Sequence, residues 1–214
     1  MRKYFAELIG TFAMVFCGTG AIIINQQSGG VITHVGICIT SGLIVACMIY
    51  AVGDISGSHL NPVVTFGFWL AKEFPTKELL PYMLSQAAGA FMASGVLCFL
   101  FPLSSTLGET LPSGTPMQSF ILEIIITFFL MFVILRVATG SKEQGMFAGL
   151  AIGFTVLLAA MFAGPVSGAS MNPFRSLAPA VLSGHLQHIW IYLTAPVFGA
   201  TIAVIAWAGL KEKN

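Results

Sequence analysis

Residues 56–62 read Ser-Gly-Ser-His-Leu-Asn-Pro, and residues 167–173 read Ser-Gly-Ala-Ser-Met-Asn-Pro. The two Asn-Pro pairs lie 111 positions apart, which is about half of this 214-residue chain. Asn is among the best helix N-caps and Pro suits the first helical position, so each copy predicts the start of a helix. Two such starts inside a very apolar chain indicate a pore built from half-helices.

The composition is that of a membrane protein. The chain is 57% hydrophobic and 8% charged, with a mean hydropathy of +0.91, whereas soluble domains carry about 25% charged residues. A spanning helix needs about 20 apolar residues. Glu7 interrupts the first apolar segment, which argues for a retained helix rather than a cleaved signal. Six spans are predicted, at 4–26, 32–52, 79–101, 117–138, 144–163 and 187–210.

The basic residues predict the orientation. With six spans, eight of them fall on one side and the opposite loops hold none. By the positive-inside rule that side is the cytoplasm, so both termini are predicted to face the cytoplasm of a cell membrane. A net charge of +1 without a basic cluster gives no sign of a nucleic-acid partner. The eight residues are Arg2, Lys3, Lys72, Lys77, Arg136, Lys142, Lys211 and Lys213.

The two halves of the chain match beyond Asn-Pro. Residues 6–12 read Ala-Glu-Leu-Ile-Gly-Thr-Phe and residues 122–128 read Leu-Glu-Ile-Ile-Ile-Thr-Phe. Each half has three spans, and because three is odd the second half must cross the membrane in the opposite sense. The sequence therefore predicts one all-α channel domain over 1–214, an inverted three-helix repeat. Repeat 1 covers 1–101, an external linker rich in proline covers 102–116, and repeat 2 covers 117–214.

The two Asn-Pro runs, 61–71 and 172–183, are too short to span and are predicted to be re-entrant half-helices. Irregular backbone cannot face lipid, so 53–60 and 164–171 must be buried in protein or line a wet cavity. Since the inverted repeat brings one run in from each side, the two helix N-termini are expected to meet near the membrane midplane.

Glu7 and Glu123 are charges inside predicted spans, which makes them functional candidates by default. One hypothesis is a proton relay, as in a pump. The other is that each carboxylate accepts hydrogen bonds from an irregular loop. Their repeat-related placement, without a Lys or Asp partner in the same spans, favours the loop-supporting role.

The remaining polar residues point to no metal, cofactor or catalytic centre. The four cysteines fall in predicted spans without metal-ligand spacing and are interpreted as small apolar packers. His59 has no partner residue at a useful spacing for a metal. His185 and His188 fall in a predicted external loop, where solvation is the plain interpretation and a pH gate an alternative. No pair of His, Cys or carboxylate has catalytic spacing, so an enzyme is not expected.

These motifs resemble the aquaporin, or major intrinsic protein, family: Glu7 with Gly10-Thr11-Phe12, His59 with Asn61-Pro62, and Asn172-Pro173 with Arg175. The resemblance covers essentially the whole chain. It implies six tilted helices and two half-helices per subunit, in a homotetramer with one pore in each subunit. Asn61 and Asn172 would cap the half-helices and turn amide donors to the pore. The positive helix ends would repel cations there and let neutral solutes pass.

The resemblance also places a selectivity filter. Counting from the Asn-Pro motifs puts it at Ser41, Ala160, Ala169 and Arg175. Arg175 would donate hydrogen bonds to solutes and repel cations; a structural ion pair is the alternative, although no acidic residue is near it in sequence. The family lines its pore with backbone carbonyls before each Asn-Pro, here those of Gly57, Ser58, His59, Gly168 and Ser170.

Three small residues in the filter favour solutes wider than water. Water-selective members usually have Phe and His at the positions of Ser41 and Ala160. Glycerol facilitators have aromatic residues and Asp after the Arg, where this chain has Ser176. The pattern resembles the nodulin-like branch, which passes silicic, boric or arsenous acid. A water channel, a glycerol facilitator and, less favoured, an ion-coupled transporter stay open. Phe174, where the family has Ala, could pack outward or narrow the pore.

Overall fold

The computed structural model describes residues 1–141 and 145–211, and within those ranges every regular element is a helix. Six helices are long and apolar enough to cross a membrane, and two are short. In chain order they are α1 Arg2–Gln27, α2 Thr33–Ser56, α3 Pro62–Leu70, α4 Thr76–Leu100, α5 Pro116–Ala138, α6 Ala148–Ser167, α7 Pro173–Ser183 and α8 Ile189–Gly209.

Four of the long helices, α1, α4, α5 and α8, begin and end within three residues of the predicted bounds. Helices α2 and α6 were predicted to end at 52 and 163, and this was wrong, because they continue to Ser56 and Ser167. The predicted first residue of the fifth span, 144, lies outside the described residues.

The irregular stretches are correspondingly shorter than the predicted 53–60 and 164–171. Only residues 57–60 and 168–171 leave the helices. Gly53 and Gly164 do not break their helices; each accepts the N–H of the glycine four residues later, at 2.8 and 3.0 Å. Those later glycines, Gly57 and Gly168, are the left-handed caps, with φ of 83° and 82°. Glycine reaches this region without a Cβ clash, so the true stop signal is the second glycine of each pair.

The half-helices begin at the Asn-Pro pairs. Asn61 Oδ1 accepts the N–H of Val63 at 2.9 Å. Asn172 Oδ1 accepts those of Phe174 and Arg175 at 3.0 and 3.3 Å. Proline occupies the first helical position in both, where its missing N–H leaves no intrahelical hydrogen bond unmade.

Helix pairs repeat between the halves. Helix α1 packs on α4 as α5 packs on α8. A Cβ on Gly89 would meet the carbonyl oxygen of Leu8, and one on Gly199 would meet that of Ile124. These glycines occupy matching positions, so the same close backbone approach is built twice.

Helices α2 and α6 cross where the two halves meet. A Cβ on Gly42 would lie 2.5 Å from the Gly153 carbonyl oxygen, and a Cβ on Gly153 would lie 2.6 Å from that of Gly42. The two glycines therefore let the backbones touch. This contact fixes the separation of two helices that both carry predicted filter residues.

Both ends of the helical chain lie on one face. Lys3 Nζ is 2.8 Å from Glu78 Oε1, which joins the start of α1 to the start of α4. Lys211 Nζ is 3.1 Å from Glu73 Oε1, which joins the end of α8 to the segment after α3. Two of the eight basic residues used for the orientation, Lys142 and Lys213, lie outside the described residues.

Candidate pore

Two cavities lie end to end between the helices. The outer cavity, of about 560 Å³, opens at the face that carries the linker 102–115. The inner cavity, of about 110 Å³, opens at the face that carries the chain ends. Both are lined by the same few residues where they approach each other, and this shared region forms the neck between them. The shared residues are Met14, Val45, Asn61, Leu130 and Val156.

Glu7 holds the first loop from behind. The carboxylate is fully buried and accepts the backbone N–H groups of His59 at 2.9 Å and Leu60 at 2.7 Å. It also accepts the hydroxyl of Ser56 at 2.7 Å and the side-chain amide of Gln86 at 2.8 Å. Each carboxylate oxygen thus receives two hydrogen bonds, and the N–H groups of His59 and Leu60 are satisfied without water.

Glu123 holds the second loop in the same way. It is fully buried and accepts the N–H groups of Ser170 at 2.8 Å and Met171 at 2.9 Å, together with the hydroxyl of Ser167 at 2.7 Å. Tyr192 donates its hydroxyl to the Ser167 carbonyl at 2.8 Å. In the first repeat Tyr82 does the same for the Ser56 carbonyl at 3.0 Å.

The loops need this support because their backbone is strained. Besides the capping glycines, Ser58 and Leu60 have φ of 48° and 53°, and Ala169 and Met171 have φ of 45° and 52°. A non-glycine residue held in such a region costs about 1 to 3 kcal/mol. Hydrogen bonds from the neighbouring N–H groups to a buried carboxylate offset that cost, since bonds to charged groups contribute about 1.5 to 3 kcal/mol.

The two cap residues also tie the loops to each other. Asn61 Nδ2 donates to the Met171 carbonyl at 2.7 Å, and Asn172 Nδ2 donates to the Leu60 carbonyl at 3.0 Å. A side-chain amide has two N–H donors. Both Asn residues line the outer cavity. Asn61 keeps one further N–H donor there, while Nδ2 of Asn172 also lies 3.9 Å from Sδ of Met14, a residue of the neck.

The four predicted filter residues all line the outer cavity. Ser41 comes from α2, Ala160 from α6, Ala169 from the second loop and Arg175 from the first turn of α7. The Ser41 hydroxyl donates to the Ile37 carbonyl at 2.9 Å, which leaves its oxygen lone pairs as acceptors. The four positions that the family resemblance implies thus come from four separate segments and line one cavity.

Arg175 is oriented by the linker. Its Nη1 donates to the Gly108 carbonyl at 2.9 Å, and no ion pair joins it to a carboxylate within the described ranges. A guanidinium has five N–H donors, of which this contact uses one, and the side chain lines the outer cavity. The linker itself is held through Thr110, whose hydroxyl donates to Ser176 Oγ at 2.7 Å.

The predicted pore-lining backbone divides between the cavities. Gly57, Ser58 and His59 line the inner cavity, while Gly168 and Ser170 line the outer one. The His59 ring itself packs against three aromatic rings, and its Nδ1 lies 3.1 Å from Thr65 Oγ1. The three rings belong to Phe68, Phe74 and Tyr82.

Phe174 packs away from the pore. It lies against the apolar cluster between α1, α4 and α7 that contains Val15, Ala90 and Ala178, and it lines neither cavity. Of the two orientations left open by the sequence, the structure has the outward one.

The interpretation of His185 as merely solvated was wrong. Its Nδ1 lies 2.7 Å from Glu109 Oε1, and Glu109 also accepts the Ser183 hydroxyl at 2.7 Å. Sequence reasoning also gave no role to Thr106, Glu109 or His34, which line the outer cavity. None of them is near an Asn-Pro motif, so nothing local marked them.

Comparison with known proteins then decides the family. The profile of the major intrinsic protein family matches residues 1–207. The chain belongs to this family. Aquaporin NIP1-3 of Oryza sativa subsp. japonica is 47% identical over 97% of this chain and 72% of its own length. Nodulin-26 of Glycine max is 46% identical over 94% of this chain and 74% of its own length.

The fold agrees with a solved structure. The aquaglyceroporin from Plasmodium falciparum superposes with a TM-score of 0.87, at 24% identity, over 98% of this chain and 96% of the other. The predicted fold class, six membrane helices and two half-helices in an inverted three-helix repeat, is confirmed. So is the nodulin-like resemblance, given the relatives matched. This major intrinsic protein is an integral membrane channel and not an enzyme.

Proposed function

We propose that this chain forms a passive channel for water and small uncharged solutes, with a filter wide enough for metalloid hydroxides such as arsenous, boric and silicic acid. The observation that carries the proposal is the outer cavity's set of three small residues, Ser41, Ala160 and Ala169, beside one arginine. Pore width and lining donors decide selectivity among neutral solutes. A hydroxyl oxygen and a guanidinium offer both kinds of hydrogen bond to a polyhydroxylated acid.

Exclusion of ions and protons follows from the charges at the neck. Two helix N-termini, capped by Asn61 and Asn172, bring partial positive charge to this region. Arg175 adds a full positive charge on the outer side. A cation meets an unfavourable field at both points, while a neutral solute exchanges its water hydrogen bonds for those of the amides.

The alternative functions differ in the solute that passes and in whether its passage is coupled to an ion gradient. The relatives named aquaporins support water passage, and glycerol is a further candidate solute because the three small filter residues leave room for it. An ion-coupled transporter would use Glu7 and Glu123 as proton carriers. Their contacts disfavour this, because both carboxylates are fully buried and already accept backbone N–H groups.

The test is a panel of stopped-flow swelling rates in proteoliposomes with water, glycerol, urea, boric acid and arsenous acid. We expect water and the two acids to enter faster than in empty vesicles, with rates independent of a proton gradient. Flux that follows a proton gradient would overturn the channel proposal. Passage of water alone would overturn the proposed solute class and leave a water channel.

The filter is tested by replacing small side chains with large ones. In the double variant Ser41→Phe with Ala160→His, arsenous acid and glycerol uptake should fall by about tenfold or more, a barrier of about 1.4 kcal/mol, while water passage remains. Phe174→Ala is the matched control outside the cavity and should leave all the rates unchanged. Unaltered arsenous acid uptake in the double variant would contradict the filter assignment.

We also propose, from the family, a homotetramer with one pore per subunit, and a single channel domain over 1–214 with the repeat boundaries given above. Both termini would lie in the cytoplasm, since the basic residues cluster at the face where Lys3 and Lys211 form their ion pairs. Cross-linking in detergent followed by mass measurement checks the subunit number.

A further inference from the structure

The outer cavity contains a histidine that the filter assignment does not use. His34 lines it from α2, on the same helix face as Cys38, Ser41 and Val45. The spacing of four, three and four residues keeps all four side chains on one side of the helix. At 1.5 Å per residue, His34 lies about 10 Å from Ser41 along the helix, on the outer side.

His34 reaches across the cavity to α6. Its Nε2 lies 2.8 Å from the carbonyl oxygen of Met161. Because a carbonyl only accepts, Nε2 carries the hydrogen and donates it. Met161 directly follows Ala160, so the imidazole bridges the two helices that carry the small filter residues.

The sequence of α6 makes this bridge possible in two ways. Within a helix, the Met161 carbonyl would accept the N–H of residue 165, but that residue is Pro165 and has none. The carbonyl is thus left without its helical partner, and His34 supplies one. In addition, a Cβ on Gly164 would lie 2.9 Å from Cε1 of the His34 ring. Glycine at this position leaves the space that the ring occupies.

We propose that His34 is a specificity-determining residue of the pore, whose ring is fixed over the outer end of the filter by Pro165 and Gly164. It supplies from α2 the ring that Ser41 and Ala160 lack. Solutes entering from the outer face pass this imidazole before they reach Ser41 and Arg175. The inference rests on the proposed channel function and adds that the upper size limit is set at His34 rather than by the small residues alone.

Three variants in proteoliposomes test the contact between His34 and the Met161 carbonyl, each by changing one of the residues on which it depends. His34→Ala removes the ring. Pro165→Ala restores a backbone N–H at residue 165, and this N–H then competes with His34 for the Met161 carbonyl. Alanine also favours the helix more than proline does, so the variant should fold. Gly164→Ala places a methyl group where the ring lies. Water, glycerol, erythritol and xylitol permeabilities are measured for each, together with His188→Ala as a histidine control outside the cavity.

For His34→Ala we expect the ratio of xylitol to water permeability to rise about tenfold, a change of about 1.4 kcal/mol in barrier. Pro165→Ala should shift it in the same direction and His188→Ala should leave it unchanged. Unchanged ratios in both His34→Ala and Pro165→Ala, in protein that still passes water, would overturn the proposal. The wild-type panel judges the proposed solute class separately. A wild type that passes water but neither boric nor arsenous acid would refute the solute class, while a raised xylitol-to-water ratio in His34→Ala would still support the role of His34.

Discussion

Glu7 and Glu123 occupy matching positions in the two repeats but accept different numbers of hydrogen bonds. Glu7 accepts two hydrogen bonds on each carboxylate oxygen. Glu123 accepts two on Oε1 but only the N–H of Met171 on Oε2. A glutamine at either position keeps one accepting oxygen and replaces the other with an N–H₂ group. The two substitutions should therefore differ in cost.

We expect Glu7→Gln to destabilise the channel more than Glu123→Gln. In Glu7→Gln the new N–H₂ group faces two N–H or O–H donors that lose their acceptor, whichever oxygen it replaces. In Glu123→Gln it can face only one such donor. Each buried donor left unpaired costs about 1 to 3 kcal/mol. Thermal unfolding in detergent gives the order of stability, and swelling rates show whether water still passes. Because the glutamine amide does not titrate and cannot relay a proton, a loss of all flux in well-folded Glu123→Gln would favour the proton relay instead.

Arg175 lends itself to a charge test with a matched control. Arg175→Ala removes the positive charge on the outer side of the neck, so proton leak should rise about tenfold or more, a loss of about 1.4 kcal/mol of barrier. Arg175→Lys keeps the charge and loses the planar fork. It should therefore retain proton exclusion while solute rates change. A pH-sensitive dye in vesicles under a potassium diffusion potential measures the leak. Equal leak in Arg175→Ala and wild type would count against the assigned role.

The position of a single residue in the pore could be predicted only where an Asn-Pro motif gave a reference point for it. Ser41, Ala160 and Ala169 could be placed because the family resemblance fixes the filter positions relative to Asn61 and Asn172, and all three line one cavity. His34 could not be placed, because its contact depends on the packing of α2 on α6 and on a carbonyl freed by Pro165. The sequence shows the proline but not which side chain faces the carbonyl it frees.

At the scale of elements, hydropathy located the helices and misplaced the ends of two. The spans were predicted to end at 52 and 163, but the helices run on through Gly53, Gly164 and Pro165. Inside a membrane an early break would leave backbone groups without partners, and this favours continuing the helix. Helices α2 and α6 stop only where Gly57 and Gly168 adopt a left-handed conformation and a glutamate takes over the free N–H groups.

The crossing of α2 and α6 can be tested with one methyl group. Gly42→Ala would bring a Cβ to 2.5 Å from the Gly153 carbonyl oxygen, and such overpacking costs about 1 to 3 kcal/mol. The helices must then separate beside Ser41, so the solute selectivity should change along with stability. Gly95→Ala in α4 is the control, since nothing lies within 4 Å of its Cβ position. Melting temperature and the glycerol-to-water ratio measure both effects. Equal behaviour of the two variants would contradict this account of the crossing.

At the scale of the whole molecule, the two repeats hold their loops by the same contacts but contribute different residues to the proposed filter. Glutamate, tyrosine and glycine contacts recur in both halves. The paired Asn-Pro and glutamate segments predicted the repeat and the glutamate contacts, but not those of the tyrosines and glycines. The second half alone carries Arg175 and the Pro165 that frees the Met161 carbonyl. In the proposed channel, ion exclusion at the neck would be shared by the halves. The choice among neutral solutes would combine His34 and Ser41 of the first half with Ala160, Ala169 and Arg175 of the second.

The sidedness of the molecule is the remaining whole-chain prediction. Lys3 and Lys211 are paired at the face opposite the linker, so the linker should be external and the loop between α3 and α4 cytoplasmic. Leu103 in the linker is 92% exposed and suits a cysteine probe; Lys77, also exposed, is its counterpart on the other face. In a background with the four native cysteines replaced, a membrane-impermeant maleimide should label Leu103→Cys in intact cells. Lys77→Cys should react only after permeabilisation, and the reverse pattern would mean that the chain is inserted the other way.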